Sequence, residues 1–155
     1  MTYQIRSLTT QEFDEFVEFE PAPELVEDRL GRISKVFLHE SYRLVALKGK
    51  RSSLIMKRDR LAFSIKTRRA AVVMDLAQKK QAGDKSLTEG VIGALVDGDP
   101  DIAALVDEDI MIDTEIASVD RSIAIQEYRI SALQMLHKSL TTLADSLLTE
   151  RIHSR

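Results

Sequence analysis

The residues whose types and spacing could do chemistry lie between positions 48 and 69: Lys48, Lys50, Arg51, Lys57, Arg58, Arg60, Lys66, Arg68 and Arg69, with Phe63 among them. Cations repeated at helical intervals suit a phosphodiester backbone, because each neutralised phosphate releases a counterion and arginine adds bidentate contacts. Lys57, Arg58, Arg60, Lys66, Arg68 and Arg69 are the expected principal phosphate contacts. Phe63, with Tyr42 upstream, could stack on the bases of a single strand. The competing reading is plain: the same cations solvate a helix, or pair with the acids of residues 97–120.

Other candidate motifs carry less. Gly49, Lys50, Arg51 and Ser52 resemble the end of a phosphate-binding loop, but the first glycine is missing and the hydroxyl falls one place late. The acids of Asp97, Gly98, Asp99, Pro100 and Asp101 suggest a calcium loop only by composition; a helix-capping turn fits better. His39 beside Glu40 could form a general acid/base pair, yet nothing supplies a nucleophile or a pocket, so both read as structural. His137 falls on an apolar seam without a second ligand nearby and reads as a core or interface residue.

Composition narrows the function classes. The chain of 155 residues has no Cys, no Trp, six Gly and three His. Thiolate metal sites, catalytic thiols and glycine-rich phosphate loops have almost nothing to be built from. No cofactor or metal is expected, and no catalysis. No run of 18 apolar residues is present and the first residues lack a signal-peptide core, so a cytoplasmic protein without a membrane partner is expected.

The net charge of −3 conceals segregated blocks. Residues 1–28 carry eight acids against Arg6, a net of −7; residues 29–80 carry fifteen Lys and Arg against three acids, a net of +12. Residues 81–120 carry eleven acids against Lys85, a net of −10, and the remainder is +2. The acidic blocks could pair with the basic one in the fold, or the basic one could attract a polyanion.

The elements that must position these groups read as helices. No proline occurs between Pro23 and Pro100, and Val26, Leu30, Ile33, Phe37, Leu44, Leu47, Leu54, Leu61, Ile65 and Val72 recur at steps of three and four. Glu40, Arg51 and Arg58 occupy seam positions, and His39 to Ser41 and Gly49 are candidate breaks. Gly83 should end this helix. Ser86 to Glu89 has the form of a capping box opening a short helix to about Val96. Asp99 should cap a second long helix beginning at Pro100, with a seam from Ile102 to Leu147. The expected fold is all-α: a long helical hairpin with a short connecting helix. Apolar positions beside each seam (Ile55, Met56, Val73, Leu76; Ile110, Ile125, Leu136, Leu143, Leu148) predict assembly into a coiled-coil-like homo-oligomer. Residues 1–22 read as an acidic arm or short helix, 23–150 as the oligomerisation and nucleic-acid-binding domain, and 151–155 as a tail.

The stretch from Met56 to Leu61 with Phe63, the connector from Leu87, Thr88 and Glu89 to Asp99 and Pro100, and the run Ile123 to Leu143 resemble the UvsY-type recombination mediators of bacteriophages. The likeness covers about residues 42–148. Arg58, Arg60 and Leu61 match the family's basic-x-Arg-Leu element, with the single aromatic Phe63 where the family often shows a Tyr pair. The resemblance implies a ring-like homo-oligomer that binds single-stranded DNA and helps a RecA-like recombinase replace single-strand-binding protein. The alternative from the residues is a structural coiled-coil assembly, scaffold or adaptor protein without nucleic-acid contact. The two part on one feature. A DNA binder leaves the basic flank uncovered, whereas an assembly protein neutralises it with the acids of 97–120.

Overall fold

The computed structural model describes residues 8–18 and 25–153. Four helices follow one another: α1 (Thr10–Glu18), α2 (Val26–Gln81), α3 (Glu89–Asp97) and α4 (Pro100–His153). There is no strand among the described residues. α2 and α4 are the antiparallel arms of a long helical hairpin, with α3 as the short connecting helix.

Each helix end has a chemical cause. Thr9 and Glu12 form a reciprocal capping box at α1, the Thr9 hydroxyl accepting from the Glu12 amide (3.2 Å) and the Glu12 carboxylate from the Thr9 amide (2.9 Å). α2 stops at Gly83, whose φ of 109° is open to glycine without strain. Asp99 caps α4, its Oδ1 accepting from the amides of Asp101 and Ile102, both at 3.0 Å, with Pro100 as the first helical residue. At α3 the expected Ser86 cap is displaced: Thr88 accepts from the Val91 amide, and Ser86 bonds Asp84 instead. The helix opens one residue after Thr88, so the glutamate of the S-x-x-E motif sits at the first helical position, too early to reach back.

α2 also runs unbroken through His39, Glu40, Ser41 and Gly49, where breaks were expected. One glycine inside a helix costs about 1 kcal/mol, small beside the packing of the arms. Glu40 is held by a partner on α4. Its carboxylate and its carbonyl both accept from the Gln126 side chain, the latter at 3.0 Å.

The chain divides into two compact units, Met1–Lys48 with Arg121–Arg155, and Gly49–Asp120. In the first, Phe13 of α1, Val26 and Ile33 of α2, and Leu133 and Leu140 of α4 form a buried core, extended by Phe16, Leu30, Phe37 and Leu136. In the second, the buried core is Leu61, Ile112 and Ile116, flanked by Leu54, Ile65 and Leu105. Phe19 and the residues up to Glu24 lie outside the described residues, as do Ser154 and Arg155 of the expected tail.

Candidate nucleic-acid interface

Seven of the nine expected phosphate-binding cations face carboxylates of the same chain. In the first unit Lys48 Nζ stands 2.9 Å from Glu127. In the second, Lys50 is 2.7 Å from Glu115, Arg51 2.5 Å from Asp120, Lys57 2.8 Å from Glu108 and Arg58 3.5 Å from Asp113. Arg68 bridges Asp99 (3.2 Å) and Asp101 (2.8 Å), and Arg69 lies 3.8 Å from Asp97. The helix seam explains the pattern. Lys50 and Lys57 recur every seven residues on one edge of α2, and Arg51 and Arg58 on the other, so each edge meets an acid of α4.

Arg51 and Arg58 replace apolar residues in the seam without leaving unpaired charge, since Asp120 and Asp113 lie opposite. The cap acid Asp99 is held below the usual carboxylate range, chiefly by the Ile102 amide, with Arg68 adding to it. These pairs are half exposed, so each contributes little by itself. Together they set seven of the block's cations opposite acids of the same chain.

Arg60, Phe63 and Lys66 stand apart. All three are exposed, and Arg60 and Lys66 form no ion pair among the described residues. Phe63 is 71% exposed on the outer side of α2. The expected site is thereby divided: seven cations are turned into the ladder, and three residues remain outward.

A groove of about 640 Å³ in the second unit is lined by Phe63, Thr67, Arg68, Ala71, Asp101 and Leu105. Its charged lining residues are Arg68 and Asp101, which pair with each other, and Glu108, which pairs with Lys57. No group of three His, Asp or Glu placed to hold a metal ion occurs among the described residues.

The residue reading missed a buried polar cluster in the first unit. Glu40, fully buried, accepts from Gln126 and lies 3.9 Å from the Arg129 guanidinium; His39 Nδ1 is 3.8 Å from its other oxygen. Arg129 donates to the Leu8 carbonyl (3.1 Å) and the Thr10 hydroxyl (3.3 Å), and covers the Phe13 ring at 5.0 Å. The signal was present as paired gaps: the α2 seam skips from Phe37 to Leu44 and the α4 seam from Ile123 to Ile130, and Glu40 and Gln126 fill those gaps opposite each other. His39 and Glu40 thus belong to the packing. His137, expected in the core or an interface, is exposed at the edge of a cavity lined by Ile33, Phe37, Leu38 and Leu133. The seam residues Leu133 and Leu140 fill the core on either side, which leaves position 137 on the outer edge.

Among the described residues no helix is long and apolar enough to cross a membrane. Compared with known families, curated proteins and solved structures, the chain matches none.

Proposed function

We propose that the chain is a helical assembly module, a scaffold or adaptor whose opposite charge blocks align its own two long helices. The observation that carries this reading is the ladder from Lys50–Glu115 to Arg69–Asp97, which neutralises the basic segment from within. A phosphate backbone would have to compete with carboxylates already in place at 2.5 to 3.8 Å. The apolar side chains left outside the hairpin supply the complementary half of the reading: Met56, Phe63, Ile110, Ile125 and Tyr128 are each more than half exposed. Left uncovered among the described residues, these side chains supply the surface through which such a module would assemble.

A second reading rests on Arg60, Phe63 and Lys66. Two uncommitted cations around an exposed aromatic are the minimal grip on a single strand, and they agree with the mediator function implied by the UvsY-type resemblance. In that reading an oligomer multiplies a weak site into an avid one and hands the strand to a RecA-like recombinase in exchange for single-strand-binding protein.

Fluorescence anisotropy of a labelled single-stranded oligonucleotide, titrated at several salt concentrations beside an Arg58→Ala/Arg60→Ala variant, separates the two. The assembly reading predicts no binding by a well-folded, self-associating protein at low salt. Tight binding that falls steeply with salt and weakens in the variant would overturn it in favour of the mediator.

A further inference from the structure

The outer face of α2 in the second unit has a pattern that is complementary to itself. Gly49, Met56, Phe63 and Ala70 recur every seven residues and form one exposed stripe on the outer side of α2, with Phe63 also bordering the groove toward Asp101 and Leu105. Met56 is 56% and Phe63 71% exposed, and a Cβ added at Gly49 would meet nothing within 4 Å. On one flank of this stripe lie Asp59 and Lys66, also seven residues apart and opposite in charge. Lys66 has no ion pair among the described residues, and Asp59 has only its neighbour Arg58, at 3.7 Å.

Opposite charges seven residues apart on one flank satisfy each other when the same helix is laid against itself antiparallel. A two-fold axis perpendicular to the helix keeps each flank on its own side and inverts the order along it. With the axis beside Phe63, Asp59 of one copy faces Lys66 of the other, and the reverse pair forms by symmetry. The same register stacks the two Phe63 rings at the centre and sets Met56 of each copy over Ala70 of the other, large against small. A parallel two-fold pairing would instead turn this flank to opposite sides in the two copies, so that neither Asp59–Lys66 pair would form.

We infer that this face of α2 docks against the same face of a second copy, antiparallel about a two-fold axis beside Phe63. The inference rests on the assembly reading and names its surface and register.

Sedimentation velocity and thiol cross-linking on the full chain test it. Asp59→Lys should weaken self-association about tenfold or more, since like charges then meet twice in one isologous contact. The double swap Asp59→Lys/Lys66→Asp should restore it. The chain has no cysteine, so introduced thiols report cleanly. A Met56→Cys protein mixed with an Ala70→Cys protein should cross-link with a short bifunctional reagent, whereas neither should link to itself. In this register like positions lie 14 residues apart, about 21 Å along the helix. Self-linking by Met56→Cys alone would overturn the antiparallel register. Self-association that is indifferent to Asp59→Lys, with no mixed cross-link, would overturn this face while leaving assembly intact. A wild-type chain that stays monomeric at every concentration would overturn the assembly reading itself. Circular dichroism of each variant confirms that α2 is still folded.

Discussion

The two units of the chain solve the same problem with different forces. In the first, a third helix closes over the hairpin, and Phe13, Ile33 and Leu133 are all but sealed from solvent. In the second, the core is the thin set Leu61, Ile112 and Ile116, and the edges are lined by half-exposed ion pairs. Burial of large side chains is non-directional and is not screened by ions, whereas exposed pairs contribute direction and register at little net energy. In the second unit the basic block, conspicuous as a ligand site, lies along acids of α4 where the core between the two helices is thin.

The largest effect should come from opening the first core. Phe13→Ala removes an aromatic ring that is 1% exposed and should lower stability by about 3–5 kcal/mol, read by chemical denaturation. A variant as stable as wild type would show that α1 is not part of the core. Next is Arg129→Ala, which takes the guanidinium away from the buried Glu40 carboxylate and should cost about 3 kcal/mol. Restoration of stability by adding Glu40→Gln would trace the loss to that buried charge.

In the second unit the effects shrink. Asp99→Ala removes the α4 cap and should lower the melting temperature, while Asp99→Asn should retain most of the cap. Because the folded-state pKa of Asp99 is depressed, its contribution is complete above the ordinary carboxylate range and is lost as pH falls through the lower folded value. Acid titration of the melting temperature should therefore be less steep in Asp99→Asn than in wild type. The smallest effect is that of a single rung. Lys57→Ala should change stability by less than about 1 kcal/mol, and less still in high salt, where exposed pairs are screened. Thermal unfolding of the variant and wild type in low and high sodium chloride checks it.

Much of this fold was legible in the residues. The seams, the stop at Gly83 and the Asp99–Pro100 start follow from spacing and cap chemistry that act within a few residues. The Ser86 cap failed because two hydroxyls, at 86 and 88, compete for one helix end, and only the local turn decides between them. The candidate site was legible as a set of cations and not as a set of pairs. Which acid meets Arg51 or Lys57 depends on the register of two helices whose partners lie 69 residues apart for Arg51 and Asp120, information that no local pattern holds. Arg60 and Lys66 differ from the other cations only by facing outward, which the same register determines.

The most direct test of the internal neutralisation of the basic block is to remove its acids. A variant carrying Asp97→Asn, Glu108→Gln, Asp113→Asn and Glu115→Gln keeps the size of each side chain and deletes four negative partners of the ladder. Anisotropy with a labelled single-stranded oligonucleotide at low salt should show salt-sensitive binding by this variant and none by wild type, the uncovered cations having become available. Equal binding by the two proteins would contradict the account, because the basic block would then have been open to a polyanion from the start.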